Sequence, residues 1–380
     1  MKPNHARRCG AISAVLSLAL VLAAALSGCG SDDPLTGRPG IDPGLIPQPG
    51  GSEVTLSGTF SGAGASSMEA AMDAWRASFQ AMHVAVSVNY DPSGSGAGRT
   101  QLLAGGALWA GSDAALSDAE IERSRDACGP EGAIDLPIYV SPIAITFNLD
   151  GIDSINMSAS TVAGIFTGAI TRWDAPELAA ENPGVALPSL PITPVHRLDD
   201  SGTTENFVDW LHANAPEIWV WEPSGVWPTQ GGDSAQGTSG VITVVQQTLG
   251  AITYADASRV GTLGTVAIGV GDQWVPVSPE GAAIAVDASP LMEGRHVYDM
   301  AVALDRTTTA EGAYPLVLVS YAVVCLHYAR QMDAEFIQEF IGFVASPAGQ
   351  AVSAQIAGSA PISETLSNQI RSSLAAITWG

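Results

Sequence analysis

Residues 54–91 read VTLSGTFSGAGASSMEAAMDAWRASFQAMHVAVSVNYD, and the hydrophobic period changes twice along them. VTLSGTF (54–60) alternates with period two, as a strand does, and SGAGAS (61–66) is a Gly-rich turn. From Ser66 to Met82 the period lengthens, placing Ala71, Ala74, Trp75, Ser78, Phe79 and Met82 on one helical face. VAVSVNYD (84–91) returns to period two. A second small-residue turn, PSGSGAG (92–98), leads into helical RTQLLAGG, and LWAGSD (108–113) is a short strand ending in Asp113. Leu116-Ser117-Asp118 opens the next helix. This β-turn-α-β-turn-α-β order predicts an α/β fold with parallel strands joined by crossover helices.

Farther along, LPIYVSPIAITFNL (136–149) and YPLVLVSYAVVCL (314–326) are long apolar runs, each read as a buried strand. Between them lie a strand PITPVHR (191–197), a helix over SGVITVVQQTL (239–249) and a strand AITYAD (251–256). DAEFIQEFIGFVAS (333–346) has helical periodicity. One long strand follows the first α/β unit and the other precedes the last helices, which suggests two chain crossings between two lobes. At 380 residues the chain is long enough for two domains.

Hydrophobic residues make up 46% and charged residues 14%, so the chain is expected to fold. The net charge is −23, and Lys2 is the only lysine. Without a basic patch, nucleic acid is excluded as a partner. The N-terminus carries MKPNHARR, then the apolar run 11–26, then Ser27-Gly28-Cys29. A basic start and an apolar run shorter than a spanning helix form a secretory signal over 1–28. Leu26-Ser27-Gly28-Cys29 is similar to a bacterial lipobox, in which the cysteine becomes the lipidated first residue of the mature chain. Losing 1–28 removes three cations and no acids, leaving the chain still more acidic. Residues 29–51 carry five prolines and no apolar period, a linker that lets a tethered body stand off its membrane. Cys128 and Cys325 remain, and in an oxidising compartment they either pair or sit as two buried thiols.

The strand PITPVHR runs into RLDDSGTTENFVDWL (197–211), which contains the D-S-G-T of aspartic proteases. A protease of that kind needs two facing carboxylates, and no second D-S-G or D-T-G exists here. Six scattered histidines make no metal site, and no G-x-S-x-G frames a nucleophile. No enzyme, metal or cofactor is expected. Instead, three Gly/Ser-rich turns (62–67, 93–98 and 201–204) each precede a helix, whose free N–H groups and partial positive charge suit an anion. None is a P-loop, since no Gly-Lys-Ser/Thr follows.

SGAGASSMEAAMDAW, VNYDPSGSGAG, WAGSDAALSD, LPIYVSPIAITFNLDGI, RLDDSGTTENFVDWL and YPLVLVSYAVVC occur in an order that resembles the phosphate-binding lipoprotein (PstS family) of bacterial phosphate ABC transporters. The likeness runs from about Leu56 to Pro361. It implies a two-lobe periplasmic-binding-protein fold of the Venus-flytrap, class II type, with two interlobe crossovers. On that map residues 52–137 plus 320–380 form the first lobe and 138–319 the second. Both Cys128 and Cys325 then fall in the first lobe, which makes their disulfide plausible. Carried over by position, the phosphate contacts are Ser66, Ser67, Ser95, Asp113, Arg197, Ser201, Gly202 and Thr203, with Asp199 bracing Arg197. Cys29 is the lipid anchor. Ser66-Ser67 stand where a Thr-Phe pair is more usual, and Asp200 where many members have Gly.

The resemblance further implies a monomer held outside a membrane by its N-terminal lipid, delivering inorganic phosphate to ABC permease membrane subunits. The alternative within the fold is a sensor or surface lipoprotein for phosphate or another tetrahedral oxyanion, such as arsenate, uncoupled from transport. Asp113 bears on that choice. A carboxylate accepts a hydrogen bond from HPO₄²⁻ or H₂PO₄⁻, whereas fully ionised sulfate has no proton to donate and would be repelled.

Overall fold

The computed structural model describes residues 55–380; the signal, the linker and Cys29 lie outside the described residues. The chain begins with β1 (Gly58–Gly64), α1 (Glu69–Met82), β2 (Val86–Asp91), α2 (Ser95–Leu103), β3 (Trp109–Ser112) and α3 (Asp118–Cys128). Next come β4 (Ala133–Phe147), β5 (Ser154–Met157), α4 (Ala159–Phe166), α5 (Pro176–Glu181), β6 (Thr193–Arg197) and α6 (Gly202–Asn214). After these follow β7 (Asp233–Ala235), α7 (Gly237–Gln247), β8 (Ala251–Asp256), β9 (Gly264–Val270), β10 (Gln273–Val275) and α8 (Pro279–Asp287). The chain ends with β11 (Val317–Cys325), β12 (His327–Tyr328), α9 (Gln331–Val344), α10 (Pro347–Ala357), α11 (Glu364–Ala375) and β13 (Thr378–Trp379).

The main sheet runs β2-β1-β3-β11-β4-β8-β6-β7, with β9 beside the end of β4 and both β5 and β10 on β9. β1 is parallel to β2 and β3, as the alternating β/α order requires, and β6 is parallel to β7 and β8. β4 joins the two parallel groups. Its residues 133–142 pair antiparallel with β11, and its residues 143–147 pair antiparallel with β8. All fifteen residues of β4 and all nine of β11 are buried, which explains why both read as unbroken apolar runs.

The apolar face of α1 buries Ala71, Ala74, Trp75, Ser78 and Phe79 as its period predicted, while Met82 is only partly buried. Phe79 packs among Phe336, Phe340 and Phe343 of α9, and Phe336 stacks on Phe60 at 4.0 Å. Trp75 donates its indole N–H to the carbonyl of Gly349 (2.7 Å), tying α1 to α10. Ser117 caps α3 in a reciprocal capping box with Glu120. Cys128, the last residue of α3, forms a disulfide with Cys325, the last of β11.

Several element boundaries differ from the sequence reading: β1 runs on through Gly64, α2 already begins at Ser95 inside the expected turn, and two others also shape the site. α1 starts at Glu69, so Ser66 and Ser67 lie in the turn before the helix. α7 starts at Gly237, two residues earlier than expected, because Gly237 adopts a left-handed backbone (φ +69°) that turns the chain into the helix.

Candidate functional site

The three turns identified in the sequence meet at one place. The turn after β1 presents Ser66 and Ser67, the first residue of α2 is Ser95, and α6 opens with Ser201-Gly202-Thr203. Ser201 caps α6 by accepting from the Thr204 N–H (3.2 Å). All six residues are buried. Gly202 lies where the turns converge: a Cβ there would come within 2.7 Å of both the Asp113 Cβ and the Ser95 Oγ. Only glycine permits that approach.

Asp113, one residue beyond β3, is 3% exposed and forms no ion pair among the described residues. Hydroxyls surround it instead. Ser67 Oγ donates to its Oδ1 (2.6 Å), Ser320 Oγ donates to the same oxygen (2.7 Å), and Thr203 Oγ1 donates to Oδ2 (2.9 Å). Its backbone N–H donates to Ser95 Oγ (3.1 Å), and its carbonyl accepts from Asn206 Nδ2 (2.7 Å). An ionised carboxylate has four lone-pair sites. Three are taken by these hydroxyls, so one acceptor position remains on Oδ2.

Arg197, the last residue of β6, is 3% exposed. Its Nε donates to Asp199 Oδ1 (2.8 Å) and its Nη2 to Asp199 Oδ2, while Nη1 reaches Thr238 Oγ1 (3.4 Å). Two of its five N–H groups have no partner among the described residues. Asp199 also accepts from the Gly237 N–H (3.0 Å). Burial alone would push the Asp199 carboxyl up; hydrogen bonding to Arg197 and its charge outweigh that and hold it below the usual range. The expected bracing role therefore has a geometric basis: Asp199 fixes one edge of the guanidinium fork. Below it, Tyr254 shares a hydrogen bond with Thr204 Oγ1 (2.7 Å) and stacks on Phe207 at 4.2 Å. Asp200, the residue that suggested a protease, is exposed.

Two site residues escaped the sequence reading. Thr238 bridges Ser66 (Oγ to Oγ1, 3.1 Å) and Arg197, and its own N–H donates to Ser66 Oγ (3.1 Å). Ser320 sits in the middle of β11. Its signal was a lone serine in a buried apolar strand, since a buried hydroxyl has to find a partner.

The remaining donors are backbone groups. The N–H groups of Ser66, Ser67, Ser95, Gly202 and Thr203 are buried and make no hydrogen bond among the described residues. Buried amides are almost always paired. Five unpaired donors from three turns, with two free guanidinium N–H groups, suit a small, oxygen-rich anion. The cluster is compact: Asp113 alone among these residues lines a neighbouring cavity of about 660 Å³, and none lines a second of about 640 Å³ over Phe79, Phe343 and Leu374.

Comparison with known proteins points to the same place. A family model described as the PBP superfamily domain matches residues 50–348. Phosphate-binding protein PstS 3 of Mycobacterium leprae is 33% identical over 335 residues, covering 85% of this chain and 87% of that protein. Phosphate-binding protein PstS 2 of Mycobacterium tuberculosis is 29% identical over 381 residues, covering 99% of this chain and all of its own length. Among solved structures, a high-affinity periplasmic phosphate-binding protein (PfluDING) bound with phosphate shares the fold at a TM-score of 0.66 and 20% identity, covering 83% of this chain and 93% of that one.

Proposed function

The chain belongs to the PstS family of phosphate-binding proteins, within the PBP superfamily, and we propose on that footing that it captures inorganic phosphate between two lobes and hands it to the membrane subunits of an ABC permease. The observation that carries this reading is the set of buried, unpaired N–H donors converging from three turns beside Arg197 and Asp113. Ser66, Ser67, Ser95, Arg197, Ser201, Gly202 and Thr203 supply donors to the phosphate oxygens, and Asp199 holds the Arg197 fork. Each charge-assisted hydrogen bond contributes on the order of 1.5–3 kcal/mol, so a handful offsets the desolvation of a dianion.

Asp113 accepts a hydrogen bond from the phosphate P–OH. Its one remaining acceptor position on Oδ2 suits a P–OH donor, and a sulfate oxygen brought there meets a lone pair with a lone pair. The lobes are 52–137 plus 320–380 and 138–319. The change of β4 partner from β11 to β8 after Pro142 supports a chain crossing in this strand. Closure of the lobes buries the ligand, and docking on the permease opens them. Cys29 carries the lipid, residues 29–51 tether the body outside the membrane, and the working unit is a monomer. Titration calorimetry tests the reading: phosphate binds and sulfate binds far more weakly. Absence of phosphate binding would refute the function, and equal sulfate affinity would refute the role of Asp113.

A further inference from the structure

Beside the site three side chains make contacts that serve none of the anion donors. Glu69 is the first residue of α1 and follows the Ser66-Ser67 turn. Ser239, in the first turn of α7, donates Oγ to Glu69 Oε2 (3.2 Å). Arg259 ends the short 3-10 turn Ala257–Arg259 and donates Nη2 both to the same Glu69 oxygen (3.3 Å) and to Ser239 Oγ (2.6 Å). Beside this triad, the Thr238 N–H donates to Ser66 Oγ.

These contacts join different parts of the sheet. α1 packs on β2 and α10, α7 packs on β6 and β8, and the turn that carries Arg259 packs on α7, β4 and α10. Every hydrogen bond that Glu69 receives through its carboxylate comes from residues at least 170 positions away. The Arg259 and Glu69 side chains are 31% and 30% exposed, so water can replace each partner when the walls part. A contact made only when the cleft is closed multiplies the closed-to-open ratio without touching the ligand.

We propose that Glu69, Ser239 and Arg259 form a latch across the cleft that sets how long a bound anion is retained, an inference that rests on the phosphate-capture reading above. The latch determines affinity through release rather than through recognition. An exposed ion pair alone contributes little, but here one carboxylate oxygen gathers two donors that also bond each other, so the three act as a unit. Removing any one member raises the release rate by about 3- to 10-fold and leaves association and the phosphate-over-sulfate ratio nearly unchanged.

Stopped-flow measurement of phosphate association and release tests this on the wild type, Glu69→Ala, Arg259→Ala and the double variant, with Glu69→Gln as a milder change that preserves side-chain shape. Faster release in each single variant, with a double variant no faster than either, supports the latch. So does partial recovery in the reversed pair Glu69→Arg with Arg259→Glu. Wild-type release in Glu69→Gln and Arg259→Ala, or effects that multiply in the double variant, would overturn it. A wild-type protein that binds no phosphate would defeat the underlying reading and the latch together. Normal wild-type binding with unchanged release in the variants would defeat the latch alone.

Discussion

One wall of the cleft, carried by β1, β3 and β11, holds a carboxylate surrounded by hydroxyls: Asp113 with Ser67 and Ser320. The facing wall, carried by β6, α6 and α7, holds a guanidinium, Arg197, whose charge is largely balanced by Asp199. Neither wall offers net positive charge, and the whole chain carries −23. An anion bound here is therefore held by directed N–H and O–H groups at close range, not by a surrounding field. On the proposed reading the walls divide the work: both supply backbone donors, the Arg197 side adds a guanidinium that serves any oxyanion, and the Asp113 side favours one that can donate a hydrogen bond back.

The sharpest way to break that division is to remove the fork. Arg197→Ala loses at least two charge-assisted bonds and leaves Asp199 buried without its cation, so phosphate affinity falls by at least about 100-fold. Calorimetry should show sulfate and phosphate binding weakened alike; a loss confined to phosphate would reverse the assignment of the walls. A smaller effect, but a more selective one, is expected across the cleft. Asp113→Asn turns one acceptor into a donor, so the phosphate-over-sulfate affinity ratio shrinks by about 10- to 100-fold, while phosphate affinity itself changes less. Competition titrations with both anions read that ratio directly.

A third region sharpens the contrast by showing a buried carboxylate without such a ring of hydroxyls. Asp135 in β4 is fully buried, its carboxylate accepts only the Leu116 N–H among the described residues, and it lies beside Asp299, which accepts from the Asp135 N–H. Burial, with the neighbouring Asp299 charge adding to it, pushes the Asp135 carboxyl up to about 8. The folded chain keeps this proton over the interval from the ordinary 3.8 to about 8, where an unfolded chain has lost it, so stability falls as pH rises through that window. Asp135→Asn keeps an acceptor for Leu116 and cannot ionise. Its stability relative to wild type should therefore improve steadily between pH 5 and pH 8, by about 1.4 kcal/mol per pH unit while the wild-type proton is held only in the folded chain. Urea unfolding at the two pH values measures this, and parallel wild-type and variant profiles would show that Asp135 is already ionised in the folded state.

Much of this was legible in the sequence, for reasons that differ between elements. The face of α1 declares itself by period, because it packs one chemically distinct side against the core, whereas the strand Ala251–Asp256 is buried along its whole length. β4 and β11 were visible as long apolar runs, and the place where β4 changes partner was not, since both halves are equally buried. The residues carried over from the family resemblance do gather at one place, although that proximity depends on contacts such as Thr203 to Asp113, ninety positions apart. Thr238 was missed because the left-handed Gly237 hides the helix start: Q-G-T-S reads as loop when the backbone is unknown. Ser320 was missed because one hydroxyl does not disturb the apolar pattern of a strand, however much the site depends on it.

The disulfide between Cys128 and Cys325 has a topological consequence. It closes a ring of chain that contains β4 through most of β11, and with them Arg197, α6 and α7. A single backbone cut anywhere inside that ring opens it without separating the pieces, because both ends of the ring remain bonded at the sulfurs. Outside a cell, where proteases are common and reductants scarce, the segment bearing the guanidinium wall can be nicked and still stay fastened to the segment bearing Asp113.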